Sequence, residues 1–181
     1  MLVAQILSLL YNIVDRIYIA RIPSVGTTAL GAVGLCFPII VIITAFSNLF
    51  GSGGAPLFSI NRGKGNIKKA EAIMNTSFSM LCICGVALMV IGMLFARPLL
   101  FLFGASADGI QYAYPYLMIY LLGTLPAMIA TGMNPFINAQ GYSTVGMLSV
   151  GIGAVANLLL DPLFIFVLGF GVQGAAIATV L

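Results

Sequence analysis

The chain has 181 residues, of which 61% are hydrophobic and only 6% are charged, and its mean hydropathy is +1.16. Soluble domains carry roughly 25% charged residues, so this composition excludes a soluble globular protein and predicts an all-α membrane protein. The net charge of +3 comes from few, scattered basic residues, which argues against a nucleic-acid partner. Histidine is absent and the three cysteines lie in apolar runs, so no metal centre built on these residues is expected.

The hydrophobic runs predict five transmembrane helices and the start of a sixth. A tilted helix needs about 20–25 residues to cross the hydrocarbon core. On this basis the helices are placed at residues 1–20, 29–50, 72–96, 109–133, 144–168 and 172–181. The chain starts apolar at once and ends ten residues into its sixth helix, so we expect a part of a longer protein.

The connectors between these helices contain prolines, glycines and charges. The stretch 52–56 ends in Pro56 and predicts a break or a bend after the second helix, while Arg97-Pro98 predicts the end of the third. Residues 62–69 hold four of the seven basic residues in eight positions. The positive-inside rule therefore predicts that the loop 62–69 is cytoplasmic.

A polar stripe follows one face of the first predicted helix. Its members are spaced three, four and three residues apart, and they are Gln5, Ser8, Asn12 and Asp15. Tyr11 flanks this stripe. An ionisable side chain at membrane depth is costly and usually faces a cavity or a partner, so the stripe predicts a cavity lining. Alternatively, Asp15 and Arg16 simply mark the end of the helix.

The fifth predicted helix carries a second stripe of small and polar residues. At a spacing of four, these residues share one face, and they are Ser149, Gly153, Asn157 and Asp161. Pro162 follows the carboxylate and weakens the helix beside it. Either Asp161 faces a functional cavity, or it is a turn residue at the water interface.

Tyrosines recur at every fourth position of the fourth predicted helix, at Tyr112, Tyr116 and Tyr120. Tyrosines near a helix end most often form an interfacial belt, and this is our first interpretation. A deeper tyrosine face could instead stack on a lipophilic cation.

Several segments resemble signatures of the multidrug and toxic compound extrusion (MATE) family, in particular its bacterial MepA-like branch. They follow the family's order and spacing, and they read LYNIVDRIYI (10–19), AVGLCFP (32–38), NAQG (138–141), NLLLDP (157–162) and GAAIAT (174–179). The resemblance implies a twelve-helix transporter of two six-helix lobes in the bacterial inner (plasma) membrane, and no enzyme. This chain would be most of the N-terminal lobe, inactive alone, with membrane lipid and the C-terminal lobe as its partners.

The resemblance also implies where the coupling cation binds. The family's cation site matches Asp15, Asn157, Asp161 and Thr179, and Asn134 matches a position near that site in some members. From the two stripes we assign Gln5, Tyr11, Asn12 and Ser149 to the substrate cavity.

Two carboxylates held close in a low dielectric cannot both ionise cheaply, so such a pair can exchange a proton. Together with an amide oxygen and a hydroxyl, they can also form an oxygen cage for Na⁺. Lipophilic cationic drugs are drawn to the same negative cavity, which makes export an exchange for H⁺ or Na⁺. No other cofactor is expected, and neither the ion nor the drug is specified.

Two alternatives remain at this stage. A lipid-linked saccharide flippase of the same superfold would be expected to line its cavity with basic residues, whereas the candidates here are acidic. The chain could also be a non-functional membrane fragment or scaffold.

Overall fold

The computed structural model describes residues 2–22 and 26–180, except for the side chains of residues 2–5, 7–9, 11 and 12. All regular secondary structure in these ranges is helical, which confirms the predicted all-α class. The elements are α1 (Leu2–Ala20), α2 (Gly26–Gly63), α3 (Ile67–Leu102), α4 (Ile110–Leu122), α5 (Thr124–Ala139), α6 (Ser143–Pro162), a π-helical turn (Leu163–Val167) and α7 (Val172–Val180).

Within the described residues, α2, α3 and the continuous helix Ser143–Val167 are long and apolar enough to cross a membrane. The segments α4 and α5 together make a fourth such span, bent by 56°. Large apolar side chains such as Leu94 and Ile152 are exposed on the outer surface of the bundle. This outward apolar face suits contact with lipid rather than with water.

The stretch 52–56 does not break the chain, because α2 runs through it without interruption. Backbone polar groups have no water to bond within a bilayer, so continuing the helix is favoured over opening it. Gly54 adds a packing reason, since a Cβ there would lie 2.7 Å from the Phe136 ring. The missing side chain lets α2 approach α5, and this contact stabilises the helix despite Pro56.

The third helix is also longer than predicted at both ends. It begins at Ile67, where the Asn66 side chain accepts a hydrogen bond from the Lys69 N–H at 3.2 Å. It continues past Pro98 to Leu102, so the predicted end at Arg97-Pro98 is wrong. The Arg97 guanidinium lies 4.9 Å from the centre of the Tyr114 ring, a cation–π contact that accommodates the charge without ending the helix.

The fourth predicted helix, at 109–133, is two helices in the structure. Gly123 separates α4 from α5, and a Cβ at this position would overlap the side chain of Val180 on α7. The absence of a side chain at the bend therefore leaves room for α7. The predicted turn at 134–143 shortens to the few residues before α6, where Gly141 has φ +94°.

Three helix pairings place the candidate site. α2 packs between α3 and α5, α1 packs mainly against α6, and α4 packs against α7. Where α2 crosses α5, Gly51 approaches the backbone of Gly132 so closely that a Cβ could not fit. The bundle thus brings α1, α6 and α7 to one side, and these helices carry the polar residues predicted from the sequence.

Candidate cation and substrate site

The stripe on α6 turns its acidic end towards the protein interior. Asp161 is 0% exposed and Asn157 6% exposed, whereas Leu159 between them is 66% exposed. A spacing of four residues puts the two polar side chains one above the other. Asp161 is therefore a buried carboxylate and not an exposed turn residue. The helix changes to a π-helical turn directly after Pro162, as expected where proline removes a backbone donor.

The helix α1 brings the second carboxylate to α6. Asp15 is partly buried, and its carboxylate lies within electrostatic range of Asp161. The adjacent Arg16 is exposed, with its guanidinium 5.4 Å from the centre of the Phe37 ring. The two acidic groups are therefore close enough to interact electrostatically, while the side chain of the neighbouring Arg16 is exposed.

The helix α7 contributes the hydroxyl of Thr179. The Asn157 side-chain N–H donates to this hydroxyl at 3.4 Å, and the hydroxyl itself donates to the Ala175 carbonyl at 2.9 Å. Because the nitrogen of Asn157 is engaged in this way, its carbonyl oxygen remains the free end of the amide. The hydrogen bond from Asn157 to Thr179 therefore orients the side-chain oxygen of Asn157 as a free acceptor.

Four buried oxygen atoms at this place lack a hydrogen-bond donor among the described residues. They are one oxygen of Asp15, the side-chain oxygen of Asn157 and both oxygens of Asp161. Leaving buried acceptors unsatisfied costs about 1–3 kcal/mol each, and more when they are charged. Such a group can be satisfied by a proton, and carboxylate and carbonyl oxygens are the ligands that suit hard cations.

A cleft of about 840 Å³ opens beside these oxygens. Its walls come mainly from α5, α6 and α7, and its described lining residues are all uncharged. Asn157, Thr179 and Ser149 line it, whereas Asp15 and Asp161 are not among the lining residues. The acidic pair is thus not part of the cleft lining, whereas Asn157 and Thr179, which are hydrogen-bonded to each other, are.

Asn134 lines the same cleft but belongs to a different hydrogen-bond network. Its side-chain N–H donates to the Gly146 carbonyl at 3.0 Å, and its oxygen accepts from the Asn138 side chain at 3.0 Å. Among the described residues the bond to Gly146 joins α5 to α6, the bond from Asn138 lies within α5, and neither reaches the carboxylates. The structure therefore gives Asn134 a place in the cleft wall and no direct contact with the acidic pair.

The remaining predicted cavity residues have different outcomes. Ser149 lines the cleft, and its hydroxyl donates to the Val145 carbonyl at 2.9 Å. Gln5, Tyr11 and Asn12 lie on α1, but their side chains are outside the described residues.

Tyr116 is the residue that sequence reasoning placed incorrectly. It is 4% exposed and lies within electrostatic range of both Asp15 and Asp161. The predicted interfacial belt is therefore wrong for Tyr116. The four-residue spacing of the tyrosines indicated a common face, but nothing in the spacing showed that this face points to the acidic pair.

Comparison with known proteins identifies the family. The family model described as MatE matches residues 1–163. The multidrug export protein MepA of Staphylococcus haemolyticus is 31% identical over 185 residues, covering 100% of this chain and 40% of MepA. An FAD transporter of Shewanella oneidensis is 28% identical over 173 residues, covering 93% of this chain and 38% of that protein.

The fold agrees with that match. A solved structure described as the outward-facing conformation of a multidrug resistance MATE family transporter of the MOP superfamily superposes with a TM-score of 0.92. It is 28% identical, and the match covers 99% of this chain and 39% of that one. The chain therefore spans less than half of the length of the relatives it matches. It belongs to the MatE family of multi-pass membrane transporters.

Proposed function

We propose that this chain forms the cation-coupled lobe of an antiporter that exports lipophilic, often cationic compounds in exchange for H⁺ or Na⁺. The observation that carries the proposal is the pair of Asp161, which is buried, and Asp15, which is partly buried; both oxygens of Asp161 and one of Asp15 lack a protein donor within the described chain. Buried acidic groups in membrane-spanning helices are typical of ion and proton pathways. The coupling cation would be held by Asp15, Asn157, Asp161 and Thr179.

The geometry supports an exchange in which the substrate and the coupling cation are attracted by the same negative charge, that of the acidic pair. When neither a proton nor Na⁺ is bound to the acidic pair, its negative charge attracts a cationic substrate into the uncharged cleft beside it. A proton or Na⁺ on the pair removes much of that attraction, and the substrate is released. A difference of one pH unit supplies about 1.4 kcal/mol for each proton exchanged.

The cleft also fits the proposed substrate class. Its volume of about 840 Å³ lies within the range of roughly 300–1,000 Å³ that is common for small-molecule sites. Its wall combines apolar residues with a few amides and hydroxyls, such as Thr131 and Ser149. Such a surface suits substrates that differ in shape but share apolar area.

The name of the Shewanella relative raises a second substrate class, since it is an FAD transporter. FAD carries phosphate groups, and phosphates are usually bound by arginine, lysine or helix N-termini. The described lining of the cleft contains no arginine or lysine. The same feature argues against a lipid-linked saccharide flippase, which makes export of cations or neutral compounds the better-supported choice.

The test is transport by the full-length protein in proteoliposomes, with H⁺ and Na⁺ gradients imposed separately. We expect accumulation of a lipophilic cation such as ethidium under one gradient, and no accumulation of FAD. Protein-free vesicles provide the control for passive leakage. Uptake of FAD in preference to ethidium would replace the substrate assignment, and transport of neither under both gradients would favour a non-transporting membrane protein.

A further inference from the structure

The connection between α2 and α3 carries the densest positive charge of the chain. We call residues 62–69 the basic tip, and its four cationic side chains are Arg62, Lys64, Lys68 and Lys69. All four are exposed, and none forms an ion pair with a carboxylate of the described residues. The nearest acidic residue in the sequence is Glu71, which is exposed as well. The basic tip is therefore a surface with a clear excess of positive charge.

Exposed apolar side chains reach up to both ends of the basic tip. Leu57 and Ile60 on α2 are 54% and 52% exposed, and Ile67 at the start of α3 is 51% exposed. The helix α2 has 38 residues, about 57 Å at 1.5 Å per residue, against a hydrocarbon core of about 30 Å. The tip thus follows an apolar helix that extends beyond the core, which is where headgroups lie.

The basic tip rests on a fixed base. Phe58 of α2 and Phe136 of α5 pack edge to face at 5.7 Å, and both belong to a small buried cluster with Ala70 of α3. Asn66 caps α3, and Gly65 makes the turn with φ +76°. The backbone that carries the four charges is held by these contacts, so little ordering is needed when a ligand binds.

From the charge, the exposure and the apolar border, we propose that the basic tip binds the headgroups of anionic phospholipids at the membrane surface. Lysine and arginine side chains bury their apolar stems and extend their charges to the headgroup level. Each basic side chain near an anionic surface contributes about 1 kcal/mol, equivalent to about fivefold in affinity. This interaction is separate from the proposed transport mechanism and does not depend on it.

The test measures which lipid lies beside the tip. Gly63→Cys places a bimane fluorophore there, in a background without native cysteines, because a Cβ at Gly63 meets no atom within 4 Å. The full-length protein is reconstituted in vesicles containing equal small amounts of nitroxide-labelled phosphatidylglycerol or nitroxide-labelled phosphatidylcholine. Both leaflets have the same composition, so the result is independent of the orientation of the protein.

We expect phosphatidylglycerol to quench the fluorophore as if it were enriched about fivefold or more over phosphatidylcholine. The preference should fall in 1 M NaCl, where the Debye length is about 3 Å. Exchanging the four basic residues for glutamine should bring the ratio to about one, and Lys64→Gln with Lys68→Gln serves if the fourfold variant does not assemble. Arg97→Gln, a neutralisation on the last turns of α3 far along the chain, is the matched control and should change nothing.

Equal quenching by both lipids in the unmodified tip would overturn the proposal and indicate a tip that is solvated or covered by protein. An anionic preference that survives in the glutamine variants would overturn it too, because the charges would then not be its cause.

Discussion

Asp161→Asn tests the site most directly, because it removes one charge while keeping the size and a carbonyl oxygen. Asp161 is 0% exposed, and neither of its carboxylate oxygens has a donor in the described residues. The variant resembles a permanently neutralised carboxyl. It should still insert and express, since an unsatisfied buried amide costs about 1–3 kcal/mol and an unpaired buried charge costs more.

The magnitude follows from the energy of one exchanged proton. With a pH difference of one unit, a one-to-one exchange supports a substrate gradient of about tenfold. We expect Asp161→Asn to lower this ratio to about one, and a Na⁺ gradient should likewise lose its effect. The assay is ethidium accumulation in proteoliposomes at fixed protein density, with each gradient imposed alone.

Asp108→Asn is the matched control, because it makes the same chemical change at an exposed position outside the site. Asp15→Asn should resemble Asp161→Asn, and the double variant should be little worse than either single one, since both groups serve one step. If Asp161→Asn kept a gradient dependence near that of the unmodified protein at normal expression, the assignment of the cation site would be refuted.

Three further outcomes can be checked. Gly63→Cys should react with membrane-impermeant thiol reagents in inverted vesicles and not in intact cells, because the positive-inside rule predicts a cytoplasmic loop; labelling from outside would reverse the topology. Tyr116→Phe should weaken the apparent affinity for the coupling cation about tenfold by removing a hydroxyl beside the acidic pair, whereas Tyr142→Phe should not; equal affinities would exclude the hydroxyl from the site. Gly51→Ala should lower the unfolding temperature in detergent, because overpacking against the α5 backbone costs about 1–3 kcal/mol of stability, whereas Gly53→Ala, which faces open space, should not; equal temperatures would contradict the close helix crossing.

The class of the fold and the inward face of α6 could be predicted because they depend on simple periodicity. A bilayer allows only satisfied backbones, so long uncharged runs indicate helices. A spacing of four residues then puts Asn157 and Asp161 on one side of α6, and the structure buries both. Burial of Asp161 could be predicted because a charge exposed to lipid is costly, and the sequence shows this acidic residue within a long apolar run.

Helix ends were predicted less well because glycine and proline act differently in a packed bundle. Pro56 and Pro98 lie inside α2 and α3, where packing and the lack of water stabilise the helix. The bend at Gly123, by contrast, lies at a contact with Val180, more than fifty residues later in the chain. A contact of this range leaves no local pattern. The sequence does carry one local signal for the bend, since Pro126 cannot donate a backbone hydrogen bond to the Leu122 carbonyl.

The acidic pair argues for one shared cation rather than two independent ones. Asp15 and Asp161 lie on different helices, α1 and α6, and their like charges repel within a buried site. The first proton or Na⁺ to bind would relieve most of that repulsion, and a second would bind more weakly because the first has already reduced the negative charge of the pair. Because Asn157 is hydrogen-bonded to Thr179, the same cation would also connect α1 and α6 to α7. Binding and release of the cation would therefore change the cohesion of three helices beside the cleft. Binding of the cation would thereby alter the shape of the cleft wall that contacts the substrate.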